Sequence, residues 1–126
     1  METFNTSIKS ILVIDENFED YNELSSVLFY YNIDVKILNN VITAYKEIEQ
    51  KEYDCYFVAE NLKAEKSIKV IDRIKCYYPG AIIMLIVEKP TTDMIIKYVP
   101  YGIDYVITKP FLWSSIEKAL AFYDFW

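Results

Sequence analysis

Ile11-Leu12-Val13-Ile14-Asp15-Glu16, near the start of the chain, is the stretch that decides the fold. Four apolar residues fill both parities of an extended segment, and two acids follow at once. A strand with one face in water alternates apolar with polar residues. One that is apolar on both parities is covered on both faces, as in a parallel sheet flanked by helices. Short apolar runs return at residues 35–38, 55–58, 82–87 and 105–108, several of them apolar on both parities, giving five strand candidates.

Helical spacing fills the intervals. Tyr21, Leu24, Leu28 and Tyr31 mark a first stripe, with Glu19 and Asp20 placed in its first turn, where acids oppose the helix dipole. Asn40 is placed to cap a second helix with the stripe Val41, Ala44, Tyr45 and Ile48. Val70, Ile71, Ile74 and Tyr78 mark a third, stopped by Pro79-Gly80. Thr91 or Thr92 opens a fourth carrying Met94, Ile95, Tyr98 and Val99. Pro100 lacks the backbone donor needed to continue it and should end it near Tyr98. Ile116, Leu120 and Tyr123 define the fifth, with Ser114 and Glu117 spaced as a capping box. Alternating strands and helices joined by right-handed crossovers give an α/β, doubly wound, five-stranded parallel sheet with five flanking helices. In so short a chain the expected strand order is the flavodoxin-like 2-1-3-4-5, in one domain over residues 1–126. Only Gly80 and Gly102 serve positive-φ positions, so the other turns must rest on Asn and Asp.

Composition narrows the function. A net charge of −6 without a basic cluster argues against nucleic-acid binding by this chain. Histidine is absent, which removes His-based acid–base catalysis, His metal ligation and a phosphohistidine within the chain. No apolar run approaches the ~20 residues of a membrane helix, and the N-terminus lacks the pattern of a secretory signal. Cys55 and Cys76 read as two buried reduced thiols, an arrangement that suits the cytoplasm. Twelve tyrosines, seven phenylalanines and two tryptophans are more aromatics than a core of this size easily hides.

In a doubly wound sheet, function gathers beyond the carboxyl ends of the strands, beside strands 1 and 3. Asp15 and Glu16 arrive there from strand 1, Ala59 and Glu60 from strand 3, Ile86 and Val87 from strand 4, and Lys109 from strand 5. Asp15 and Glu16 offer oxygen ligands to a hard cation such as Mg²⁺. The alternative is a salt-bridge cluster in which Lys109 neutralises two crowded carboxylates.

Over about residues 8–124 the chain resembles the response-regulator receiver (CheY-like) family. The matching motifs are Val13-Ile14-Asp15-Glu16, Tyr53-Asp54 opening strand 3, and Gly102-Ile103-Asp104 leading to Thr108-Lys109-Pro110-Phe111. The resemblance implies an acid pair that holds Mg²⁺ with a strand-3 aspartate, and that aspartate takes a phosphoryl group. It implies a strand-4 Thr or Ser, a strand-5 aromatic that swings inward, and a lysine followed by a cis peptide, here Lys109-Pro110. Three of these functions are missing. The acceptor position is Ala59, whose methyl forms no acyl phosphate. The Thr/Ser position is Ile86, and the aromatic position is Val106, with Tyr105 beside it as a partial substitute.

The expected function is therefore that of a phosphorylation-independent pseudo-receiver, a protein-interaction module in two-component-type signalling and not an enzyme. It uses no cofactor beyond a weak or vestigial Mg²⁺ site on Asp15 and Glu16. Its expected partner is another signalling protein or a second copy, met through helix 4, strand 5 and helix 5. Candidate contact residues are Tyr98, Tyr101, Tyr105, Lys118, Phe122, Phe125 and Trp126; on helix 5, Lys118, Phe122 and Phe125 recur opposite the inward Ile116, Leu120 and Tyr123. The competing reading is that this tail folds back onto the body or packs against a following domain.

Three alternatives remain. A divergent receiver would accept phosphate on Glu60 or Asp15, with Glu60 reaching the pocket through a local bulge. The chain could be the N-terminal regulatory piece of a longer DNA-binding regulator. A flavodoxin-type cofactor binder is disfavoured, because the acidic loop Asp15-Glu16-Asn17-Phe18-Glu19-Asp20 would repel a flavin phosphate.

Overall fold

A computed structural model describes residues 6–17 and 21–124. In chain order the elements are β1 (Ser10–Ile14), α1 (Asn22–Tyr30), β2 (Asp34–Leu38), α2 (Val41–Gln50), β3 (Cys55–Ala59), α3 (Ser67–Tyr77), β4 (Ile82–Val87), α4 (Thr92–Tyr98), β5 (Tyr105–Thr108) and α5 (Trp113–Asp124). All strand pairs are parallel, in the order β2-β1-β3-β4-β5. This is the flavodoxin-like order expected from the alternation of buried runs with amphipathic spacing. Each strand lies within one residue of its expected span.

Strand alternation divides the core between the two faces. Ile11 and Val13, Cys55 and Phe57, and Met84 and Ile86 pack with Leu24, Val27 and Leu28 of α1 and Ile116, Ala119 and Leu120 of α5. Leu12 and Ile14, Tyr56 and Val58, and Ile83, Leu85 and Val87 face the other way. They pack with Val41, Ala44 and Ile48 of α2, with Val70, Ile71 and Ile74 of α3, and with Tyr98 of α4. β3 and β4 are buried at every position, which explains runs apolar on both parities.

Several local signals act as expected. The Asn40 side chain accepts from the Thr43 N–H at 3.0 Å, and Thr91 accepts from the Met94 N–H at 3.2 Å, which makes Thr91 the cap of α4. α4 stops at Tyr98, and Val99–Tyr101 continues as one 3₁₀ turn with Pro100 inside it. Gly102 then takes φ 89°, and Asn32 takes φ 58° in the turn between α1 and β2. Asp54 and Asp104 tie the opposite end of the sheet. Asp54 accepts from the Lys9 and Ser10 amides at 2.7 and 3.2 Å, and Asp104 accepts from the Ile83 amide at 2.9 Å.

Two expectations need correction. Ser114 lies inside α5 and not before it, so the capping box does not form; Glu117 instead accepts from the Tyr31 hydroxyl, joining α5 to the end of α1. Cys55 is a buried thiol, but Cys76 is exposed, because α3 turns it away from the sheet. Glu19 and Asp20 lie outside the described residues.

Candidate functional site

The carboxyl ends of β1, β3, β4 and β5 border a cleft of about 300 Å³, lined among others by Asp15, Asn17, Ala59, Glu60, Ile86 and Lys109. The sequence placed these residues together, and the fold brings them there. What it does with their charges was less apparent.

Asp15 is 2% exposed, and every contact it makes is internal. One carboxylate oxygen lies 2.6 Å from Lys109 Nζ and accepts from the Tyr21 hydroxyl at 2.7 Å. The other accepts from the Asn17 amide at 3.0 Å. Lys109 also donates to the Asn17 carbonyl at 3.0 Å, and its ammonium stands 5.2 Å from the centre of the Tyr21 ring. The Tyr21 ring in turn packs against Phe111, with centroids 5.1 Å apart. The Lys109-Pro110 peptide is cis. The result is a closed arrangement of carboxylate, ammonium and phenol, satisfied within the protein.

Glu16 leaves this arrangement. Its carboxylate accepts from the backbone amides of Lys63 and Ala64, and so closes the loop that follows β3. Adjacent strand-end residues diverge, and two free amides in the β3–α3 loop take the one pointing outwards. Asp15 and Glu16, expected as joint Mg²⁺ ligands, are adjacent in the chain, but here their carboxylates turn to different partners. Among the described residues, no group of three acids, cysteines or histidines is gathered for a metal. In this arrangement the described side chains are not gathered as a Mg²⁺ ligand set. Asp15 is neutralised by Lys109, Glu16 is held by the loop backbone, and Ala59 contributes no oxygen.

The remaining positions follow from strand parity. Ala59 ends β3 at 4% exposure, and Ile86 lies across from it on β4. The Glu60 amide donates to the Ile86 carbonyl at 2.8 Å, continuing the ladder, so no bulge turns the chain at Glu60. Glu60 reaches the cleft only as part of its wall. Val106 packs on the α2–α3–α4 face and Tyr105 on the α1–α5 face, where its ring lies 5.0 Å from that of Phe122. Tyr105 thus cannot substitute for an aromatic at Val106, because neighbouring strand residues face opposite ways.

The expected contact surface is only partly exposed. Tyr98 is buried, with its hydroxyl 2.7 Å from that of Ser67, which removes it from the surface. Tyr105 and Phe122 pack against each other and against the core. Lys118 and Tyr101 are exposed. Phe125 and Trp126 lie outside the described residues. Exposed apolar surface lies instead on Ile96 and Val99, beside Tyr101.

Sequence reasoning missed Tyr21 and Asn17 as site residues. Tyr21 looked like the first member of the α1 stripe, and its ring does pack in the core; only its hydroxyl belongs to the site. A tyrosine six residues beyond a strand-end acid was the available signal.

Comparison with known families matches residues 11–121 to the response regulator receiver domain. Among solved structures, the chemotaxis protein CheY4 of Vibrio cholerae aligns with a TM-score of 0.81 at 14% identity, covering 91% of this chain and 98% of its own. A CheY-like receiver domain protein from Methanospirillum hungatei aligns at 0.80 and 16%, covering 91% and 92%. The beryllofluoride-activated NtrC4 receiver domain dimer aligns at 0.78 and 21%, covering 92% and 99%. At these identities the likeness is one of fold. Comparison with curated proteins finds no match.

Proposed function

The chain belongs to the response regulator receiver domain family, and from that premise we propose that it is a pseudo-receiver: a protein-interaction module of two-component signalling that works without phosphorylation. The observation that carries this reading is the Asp15–Lys109 pair, 3% and 10% exposed at the side chains and completed by the Tyr21 hydroxyl. In a phosphorylated receiver the lysine meets a phosphoryl group. Here its charge is already matched, and the wall beside it is a methyl at Ala59 and a hydrocarbon at Ile86. No nucleophile stands where the acyl phosphate would form, and no Mg²⁺ ligand set stands ready to assist. The module has no catalytic activity of its own and acts in the cytoplasm.

Its partner is another signalling protein, docked on the α4–β5–α5 face. Ile96 and Val99, 62% and 58% exposed, supply apolar anchors there beside Tyr101, and Lys97 and Lys118 supply positive charge.

The test is incubation with acetyl phosphate or phosphoramidate and Mg²⁺, followed by intact mass spectrometry. The expected result is no phosphate adduct. Stoichiometric labelling would overturn the reading, and labelling abolished by Glu60→Gln would establish a divergent receiver in its place.

A further inference from the structure

At the end of the sheet away from β5, β2 pairs only with β1 among the described residues, so its outer edge is open. The Asp34 amide donates to the Lys9 carbonyl and the Leu38 carbonyl accepts from the Asp15 amide. The even-numbered residues of β2 therefore turn their backbone groups towards β1. By alternation, Val35 and Ile37 turn theirs outwards. Such an edge invites another strand unless something blocks it.

We propose that this edge pairs with the same edge of a second copy, antiparallel about Val35, to form a two-fold dimer with one continuous sheet. Three observations fix that occupant. First, antiparallel pairing requires outward-facing residues to stand opposite one another, which permits a centre at any residue from Ile33 to Ile37; centres at Asp34 or Lys36 would set that charge against its own copy. Only the Val35 centre sets Asp34 of each copy opposite Lys36 of the other, twice over by symmetry. A centre at Ile37 would set Lys36 against Leu38. Second, these charges occupy the non-hydrogen-bonded position, where facing side chains come closest. Both residues are exposed; Lys36 already meets Glu47 at 3.0 Å yet keeps half its side chain in solvent, leaving room for a second carboxylate.

Third, the α1 face is self-complementary. Phe29 is 84% exposed, beside a groove lined by Asn22, Ser25, Ser26, Ile33 and Val35. A two-fold axis through Val35 sets the end of one α1 beside the start of the other, so Phe29 of each copy meets the small-residue end of the other's groove. The opposite edge, Tyr105-Val106-Ile107-Thr108, carries no charges and offers no such register. Pairing only five residues per copy gives a weak, concentration-dependent dimer.

Sedimentation equilibrium across a concentration series tests this. The wild-type chain should show a monomer–dimer equilibrium. Asp34→Lys and Lys36→Glu should each raise the dimer dissociation constant by roughly 10- to 30-fold, since two attractive pairs become two repulsive ones. Mixing the two variants should restore association, because every facing pair is then opposite in charge. A wild-type chain that stays monomeric at its highest attainable concentration overturns the proposal, as does an Asp34→Lys chain that dimerises as well as wild type. If Lys36→Glu does not fold, Val35→Pro replaces it: it removes the outward amide without touching a β1 bond and should abolish the dimer. A dimer that survives Val35→Pro also overturns the proposal.

Discussion

Replacing Asp15 with Asn removes one charge and almost no volume, and leaves the Lys109 ammonium buried without its counter-ion. At 2.6 Å the gross attraction between the two charges is about 6 kcal/mol at an effective dielectric near 20. Much of that is offset by desolvation, so the pair itself adds little net stability. Its asymmetric removal is a different matter. Lys109 is 10% exposed at the side chain and, among the described residues, keeps the Asn17 carbonyl and the Tyr21 ring as partners. Breaking a buried pair from one side costs about 3–5 kcal/mol. The asparagine oxygen can still accept one hydrogen bond, which places the expected loss at the lower end, about 3 kcal/mol. In a domain of this size that lowers Tm by about 10 °C. Adding Lys109→Met should recover about 2 kcal/mol, because the stranded charge goes with it. Urea unfolding of wild type, both single variants and the double variant closes the cycle. If Asp15→Asn costs less than 1 kcal/mol, or Lys109→Met recovers nothing, the pair is not the closed arrangement described here.

Ala59→Asp restores the acceptor residue alone and should still incorporate no phosphate from acetyl phosphate, because Glu16 stays on the Lys63 and Ala64 amides; mass spectrometry with and without Mg²⁺ reads the result. Glu47→Gln should cost about 1–2 kcal/mol at neutral pH. The Tyr53 hydroxyl, and after it Lys36, hold the Glu47 carboxyl below its ordinary range. Its contribution is therefore present above that range and lost as pH falls through the lowered value, so wild-type and variant stabilities should converge in acid. Gly102→Ala should destabilise by about 1–2 kcal/mol in the same urea assay, because φ is 89° and the added Cβ would meet Lys75 Cε at 2.9 Å.

β3 and β4 were legible because their burial is two-sided: a residue such as Phe57 or Met84 must be apolar whichever helix layer it meets. Turn chemistry was legible where a single residue carries it, as at Asn40, Thr91 and Pro100. The site was legible as a gathering of residues and not as a set of bonds. That Ala59, Ile86 and Lys109 share a cleft follows from topology. That Glu16 turns to two loop amides depends on the path of residues 60–66, which no periodicity encodes. Tyr21 has a core ring and a site hydroxyl, and a hydrophobic stripe records only the ring. Glu117 illustrates the same limit: its capping-box spacing is genuine, but the helix begins too early to use it, and Tyr31 takes the carboxylate instead.

A pocket sealed by Asp15 and Lys109 should no longer switch. Backbone amide NMR of the chain during addition of Mg²⁺ and then beryllofluoride, a phosphoryl mimic, tests it most directly. A closed pocket should give no saturable response to beryllofluoride, and no shifts in α4, β5 or α5 beyond those of ionic strength. Saturable shifts spreading from Asp15 and Lys109 into α4, β5 and α5 would contradict it.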